Sequence, residues 1–129
     1  MVSCPLTHFV ILNEVKNPSG TPGEVAAVKV MRMTIVYPKP DRVRETVALL
    51  KKLGEHMAAQ PGFVEDYSLE EHGERTVVGR ASVWENAAAL HRAAASDHVI
   101  ALRSQIIGTN PQAEHHDYMF EITGEHHRK

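Results

Sequence analysis

The segment 76–99, TVVGRASVWENAAALHRAAASDHV, constrains the fold of this chain more than any other stretch. Its first half has the pattern of a strand and ends at Trp84, the only tryptophan. Asn86 is a natural helix N-cap, and the alanine-rich run that follows has high helix propensity. The Ser96-Asp97 pair can end that helix and cap a shorter one over residues 98–106. The segment therefore predicts a strand, a turn and a broken helix.

The residues before this segment predict a strand, a helix and a further strand. Residues 25–37 are rich in Val, Ile and Met, so they predict a first strand with apolar side chains on both faces. Asp41 is a plausible N-cap for a helix whose apolar side chains recur at three- and four-residue spacing as far as Met57. Gly54 in this helix predicts a close approach to the sheet or to a ligand.

The predicted second strand, 63–69, and third strand, 75–84, are separated by a turn signal at 71–74, which predicts an antiparallel hairpin. Gly79 and Ala81 in the third strand leave space where a helix can sit close to the sheet. A fourth strand is expected at residues 115–122.

The predicted order is strand, helix, strand, strand, helix, strand. This order is typical of a ferredoxin-like α+β fold, βαββαβ, in which a four-stranded antiparallel sheet carries its helices on one face. Strands one and four have apolar side chains on both faces, so the face without helices must be covered. A second copy related by a two-fold axis is the economical cover, and we expect a homodimer.

The domain is predicted to span residues 25–123. The Pro- and Gly-rich residues 1–24 predict a flexible tail, with an extra edge strand or an arm that grips a partner subunit as the alternative. Residues 124–129 predict a charged C-terminal tail.

Composition narrows the possible partners and compartment. The net charge is -2, so no basic excess favours nucleic acid as a partner. The single cysteine, Cys4, cannot form an internal disulfide, which fits a reducing compartment. No apolar run near the N-terminus has the length of a signal segment or a membrane span. We therefore expect a cytoplasmic protein with no membrane partner.

Histidine is frequent, with nine residues in the chain. His126 and His127 belong to the predicted tail. His115 and His116 are adjacent on the fourth strand, so their side chains point to opposite faces and cannot easily share a metal ion. Metal binding is therefore not favoured.

Several short motifs resemble the antibiotic biosynthesis monooxygenase domains over about residues 27–122. The resemblance rests on the Pro61-Gly62-Phe63 turn, the Trp84-Glu85 pair and the Ala89-x-His91 spacing on the second helix. It implies a dimeric α+β barrel with a ligand cavity between sheet and helices. It also implies oxygen transfer to a quinol or anthrone-like aromatic without a metal, flavin or haem. Haem degradation is disfavoured, because strand one lacks the Asn that the related haem-degrading enzymes use.

Within this resemblance Trp84 and His91 are the candidate catalytic residues. The Trp84 ring can stack on a planar ligand, and the alternative is a tryptophan that seals the core. The imidazole of His91 can accept a phenolic proton, and the alternative is a histidine bonded to a nearby carbonyl.

The candidate ligand-binding residues carry polar groups that can bond an aromatic oxygen: Tyr37, Tyr67, Arg80 and Tyr118. Each tyrosine can instead be a core or interface residue. Arg80 can steady an enolate, or it can pair with an acidic side chain across the sheet or the dimer interface.

Two functions follow from these predictions. The first is a cofactor-independent monooxygenase that acts on a quinol or anthrone-like aromatic. The second is a non-catalytic dimeric barrel that binds a small apolar molecule or supports a stress or metabolic pathway. Convergence of Trp84, His91 and a tyrosine on one enclosed space would favour the first function, and alanines and methionines filling that space would favour the second.

Overall fold

The computed structural model describes residues 28–128. Within this range the elements follow the order β1 (Val30–Val36), α1 (Val43–Ala58), β2 (Phe63–His72), β3 (Thr76–Trp84), α2 (Ala87–Ala94), α3 (Asp97–Thr109) and β4 (His115–Glu121). The predictions for residues 1–24 and Cys4 fall outside the described residues, and the predicted domain limits stay predictions.

All four strands pair antiparallel in one sheet with the order β2-β3-β1-β4. In this order β1 lies between β3 and β4, so each β–α–β unit has a strand of the other unit between its own two strands. This arrangement defines the ferredoxin-like fold. The predicted fold class is therefore confirmed.

The starts of the helices differ in how well the sequence predicted them. Asn86 caps α2 by accepting a hydrogen bond from the Ala89 N–H at 2.8 Å, and Ser96 caps α3 by accepting from the Val99 N–H at 3.3 Å. The prediction that Asp41 caps α1 is wrong. Asp41 lies in a short 3-10 turn, Pro40–Arg42, and α1 begins after that turn with no side-chain cap. Pro40 favours this turn because its fixed φ suits the first helical position.

Helix α1 packs very close to the sheet at Gly54, as predicted. A Cβ at this position would lie 2.8 Å from Asp66 Oδ2 and 3.6 Å from Arg80 Nε. The prediction for Gly79 and Ala81 is wrong, because β3 turns these residues to the other face, where they pair with Ile35 and Met33. A Cβ at Gly79 would meet the backbone of the neighbouring strand β1, not a helix.

The family-like motifs meet at one end of the helix-facing core. Gly62 has a φ of 87°, and a Cβ there would collide with the Ala89 side chain at the start of α2. The Gly62 carbonyl also accepts a hydrogen bond from the Glu85 N–H at 2.8 Å. The edge of the Phe63 ring meets Trp84, with 5.5 Å between ring centroids. These motifs therefore position α2 against the sheet.

The face of the sheet without helices carries an aromatic row on β4. His116, Tyr118 and Phe120 stack in sequence, with centroids 6.2 Å and 5.8 Å apart. Phe120 remains 48% exposed and Tyr118 39% exposed. This large apolar surface has no cover from the described part of the chain. No helix among residues 28–128 is long and apolar enough to cross a membrane.

Candidate functional site

A charged cleft lies where α3 crosses the edge of the sheet formed by β1 and β4. Thr34 of β1 pairs directly with Asp117 of β4, and Arg32 lies two residues earlier on the same strand. Because side chains alternate along a strand, these three residues share the face that carries the helices. Arg103 reaches the same place from α3. Four polar side chains from three elements therefore meet under one helix.

Asp117 is the centre of this group. Its Oδ1 accepts a hydrogen bond from the Thr34 hydroxyl at 2.8 Å, and its Oδ2 accepts one from Arg103 Nη2 at 2.9 Å. Arg32 Nη2 lies 3.5 Å from Oδ1, within ion-pair distance but beyond a short hydrogen bond. One carboxylate thus faces two guanidinium groups.

The electrostatics of the cleft follow from this imbalance. Burial alone would raise the pKa of Asp117, but the charges of Arg103 and Arg32 and the Thr34 hydrogen bond lower it overall. Burial lowers the pKa of Arg32 to about 10, and the neighbouring Arg103 charge adds to this effect. The carboxylate therefore stays ionised, while Arg32 carries its charge at a cost.

The Arg103–Asp117 ion pair stands between two lobes of the cleft. The inner lobe, of about 50 Å³, is lined by Thr34, Leu53, Arg103, Ile106, Ile107, His115 and Asp117. The outer lobe, of about 290 Å³, is lined by Arg32, Ala94, Ile100, Arg103, Ser104 and Ile107. Arg103 and Ile107 belong to both lobes, so the two lobes adjoin at these side chains. The cleft combines apolar walls with a small set of convergent polar groups, as ligand sites usually do.

His115 places an imidazole at the inner lobe. Its Nε2 lies 3.4 Å from the carbonyl oxygen of Asn110, a buried residue that holds the loop before β4. His116, the next residue, lies on the opposite face beside Tyr118, as the strand pattern predicts. No set of three or more His, Cys, Asp or Glu side chains within residues 28–128 is arranged to hold a metal ion.

The two predicted catalytic residues lie outside the lining of both lobes. Trp84 is fully buried, and its Nε1 donates a hydrogen bond to the Ser82 hydroxyl at 3.0 Å. Its polar group is therefore already paired inside the core. His91 is exposed on α2, one turn before Ala94, which lines the outer lobe. The structure does not bring Trp84, His91 and a tyrosine together at this cleft, so the convergence that would favour the monooxygenase is not observed here, and the catalytic roles of Trp84 and His91 stay predictions.

Two of the three predicted tyrosines lie on the other side of the sheet. Tyr118 is in the exposed aromatic row, and Tyr67 pairs with Ala81 on the same face and is 49% exposed. Tyr37 contacts His116 edge-on and carries the Arg75 guanidinium 4.1 Å above its ring. Strand alternation turns Tyr67 and Tyr118 away from the helices. Tyr37, beyond the end of β1, instead lines a separate cavity of about 410 Å³ beside the start of α1. None of the three lines the cleft, and their roles in ligand binding stay predictions.

Arg80 does point toward the helices. It is 3% exposed, and its Nη2 donates to Asp66 Oδ2 at 3.0 Å directly beneath Gly54. This pairing is one of the two alternatives that the sequence left open. Arg80 lines neither lobe, although its charge lies near enough to Arg32 to lower the pKa of that residue further.

Sequence reasoning missed the residues that form the cleft, namely Arg32, Thr34, Arg103, His115 and Asp117. The sequence does contain an indication for Arg32 and Thr34 on β1. These two polar residues lie on a strand face whose other residues are valines. The contribution of β4 and α3 depends on the register between β1 and β4, which no sequence pattern reveals.

The model of the antibiotic biosynthesis monooxygenase family matches residues 29–105. This match spans more than half of the chain, and the chain belongs to that family. No curated protein matches the sequence.

Solved structures match the fold at low sequence identity. A conserved protein of unknown function from Bacteroides thetaiotaomicron, described as a possible oxidoreductase, is 18% identical with a TM-score of 0.66, over 74% of this chain and 99% of that one. SnoaB, a cofactor-independent oxygenase from Streptomyces nogalater, is 18% identical with a TM-score of 0.64, over 75% and 95%. Rv0793 from Mycobacterium tuberculosis is 20% identical with a TM-score of 0.64, over 75% and 97%. These matches confirm the fold.

Proposed function

We propose that this protein is a cofactor-independent monooxygenase that oxidises a quinol or anthrone-like aromatic in the cleft between the sheet and α3. Membership in the family and the fold shared with SnoaB support this class of reaction. The observation that carries the proposal is the excess of guanidinium over carboxylate in a cleft with apolar walls.

The chemistry explains why such a charge imbalance is useful. An electron-rich phenol becomes a strong one-electron donor toward O₂ once it loses its proton. The protein must therefore accept that proton and stabilise the resulting anion. His115, which lines the inner lobe, would accept the proton, and Arg103, which lines both lobes, and Arg32, which lines the outer lobe, would supply positive charge to the anionic substrate. One oxygen atom of O₂ enters the ring product and the other leaves as water.

Oxygen uptake tests the proposal most directly. Wild-type protein would be mixed with a panel of reduced quinols, including menadiol, and uptake would be corrected for autoxidation. We expect kcat/KM to fall by at least about tenfold in Arg103→Gln, because one of two anion-stabilising charges is lost. Arg44→Gln, on the exposed side of α1, is the matched control and should behave as wild type.

The outcomes separate the two functions considered. No uptake above autoxidation with any quinol would overturn the monooxygenase proposal. Saturable binding of quinols without uptake would favour the alternative, a non-catalytic protein that binds small ligands.

We also infer that two copies pair through the faces of their sheets that carry no helices. The exposed aromatic row of β4 supports this pairing, since a large apolar patch on a protein surface usually marks an interface. Light scattering at micromolar concentration should give the mass of a homodimer, and a monomeric mass would contradict the inference. The cytoplasmic location stays a prediction.

A further inference from the structure

The helix-facing side of the sheet holds more positive than negative charge. Arg80 is matched by Asp66 at 3.0 Å, and Arg103 is matched by Asp117 at 2.9 Å. The carboxylate nearest to Arg32 is Asp117, which already accepts hydrogen bonds from Arg103 and Thr34. Of the three arginines on this side, Arg32, Arg80 and Arg103, Arg32 is therefore the one whose nearest carboxylate is already hydrogen-bonded to another arginine.

Arg32 is also poorly solvated. Its side chain is 13% exposed, and its Nε, like that of Arg80, is buried with no hydrogen-bond partner within the described residues. Burying a charge in this way is unfavourable unless another group compensates it. Packing does not require an arginine here, because the neighbours across the strands on this face are Ser82 and Met119. The buried Arg32 charge thus lowers stability and contributes little to packing. A residue of this kind usually has a functional role, and here we take that role to be ligand binding.

The outer lobe is an open surface groove with the volume for a small planar acid, and its apolar side includes Ile100 and Ile107, which are 51% and 54% exposed. Arg32 and Arg103 lie among the apolar side chains of Ala94, Ile100 and Ile107, and Ser104 adds a hydroxyl. The volume of about 290 Å³ fits a single-ring or double-ring aromatic. One unmatched positive charge suits a monoanion, and a guanidinium binds a carboxylate through two parallel hydrogen bonds.

We propose that the outer lobe binds the carboxylate of a small aromatic acid and that Arg32 is the residue that pairs with it. This inference rests on the proposed function in one respect, since the aromatic acid would be the quinol that is oxidised. Its ring would lie against Ile100 and Ile107, with the carboxylate at Arg32.

A pair of compounds tests the proposal on the wild-type protein. The acid 2,5-dihydroxybenzoate is a quinol with a carboxylate, and its methyl ester is the same quinol without the charge. Calorimetric titration under nitrogen measures binding in the absence of turnover. We expect the acid to bind at least about tenfold more tightly than the ester. Equal affinities, tighter binding of the ester, or binding of neither compound would overturn the proposal.

Variants of Arg32 then test whether this residue causes the preference for the acid over its ester. Arg32→Met should lose the preference for the acid, and Arg32→Lys should keep part of it, because it keeps the charge but not the planar fork. Arg44→Gln should bind both compounds as wild type does. We expect Arg32→Met to fold with a Tm equal to or above that of wild type, since a poorly compensated charge is removed. A preference that survives in Arg32→Met would overturn the assignment.

The proposed function can fail independently of this inference. Tight, Arg32-dependent binding of the acid without oxygen uptake from it or from any quinol of the panel in air would uphold the inference and overturn the monooxygenase. Uptake with menadiol and no preference for the acid over its ester would uphold the monooxygenase and overturn the inference.

Discussion

The two ends of the helix-facing core differ in how their charged side chains are paired and in how much open volume they leave. At the Trp84 end the ring is fully buried, its N–H has a partner, and the Gly62 turn fits closely against α2. At the cleft end one carboxylate serves two guanidiniums, a buried Nε has no partner within residues 28–128, and open volume remains. The first end is organised for stability, and the second retains unfavourable features that a bound anion would relieve.

This difference separates two kinds of information in the family-like motifs. The Pro61-Gly62-Phe63 turn and the Trp84 motif meet each other and fix the position of α2. These motifs are typical of the fold because their contacts hold α2 against the sheet. The candidate ligand cleft lies toward β4 and α3, and none of the motif residues lines it. Family membership therefore predicts the architecture more firmly than the substrate.

The largest effect is expected at the paired end. Trp84→Ala should lower the free energy of unfolding by about 3–5 kcal/mol, because it removes a fully buried aromatic and leaves a cavity. Urea denaturation followed by circular dichroism measures the loss. Trp84→Phe is the companion variant and should lose less, since most of the volume is kept. A loss below about 1 kcal/mol for Trp84→Ala would show that this end is not the stable part of the core.

A smaller effect with a distinct pH dependence is expected at the cleft. Asp117→Asn should cost about 1–3 kcal/mol at pH 7, because the hydrogen bonds to Arg103 and Thr34 lose their charged acceptor. The lowered pKa of Asp117 sets the sign of the pH effect. A carboxyl group with a lowered folded-state pKa stabilises the fold above its ordinary pKa of about 4, and this contribution disappears as the pH falls further.

Urea titrations from neutral to acid pH measure this linkage. The stability advantage of wild type over Asp117→Asn should be constant near neutrality and shrink below about pH 4. Asp41→Asn is a suitable control, since Asp41 is exposed and caps no helix. An advantage that persists unchanged into acid would mean that the ion pairs around Asp117 do not stabilise the fold.

How far the sequence predicted each end has a physical explanation. The Trp84 end is built from local signals, such as the Asn86 cap, the glycine of the turn and the alanine-rich helix, so its elements were predicted correctly. The cleft joins Arg32 to Asp117 across a strand pair that is distant in sequence. Its composition depends on register, and a shift of one residue would turn Asp117 to the other face.

The tyrosines illustrate the same limit. Tyr37, Tyr67 and Tyr118 were expected in a cavity because their chemistry suits phenol binding. Register and alternation place Tyr67 and Tyr118 on the face without helices, and Tyr37, just beyond β1, contacts His116 of that face. Residue type indicated what these side chains can do, but only the pairing of the strands decided what they face.

The smallest effect is expected from His91→Gln. The side chain is exposed on α2 and lines neither lobe, so the free energy of unfolding should change by less than about 0.5 kcal/mol and oxygen uptake should stay close to wild type. His115→Gln is the matched variant, because that imidazole lines the inner lobe, and it should reduce uptake by at least about tenfold if it accepts the phenolic proton. The reverse result, a tenfold loss in His91→Gln and none in His115→Gln, would support the sequence-based prediction for His91. Because His91 lies one turn before Ala94, that result would also extend the outer lobe further along α2 and move the proton acceptor away from β4.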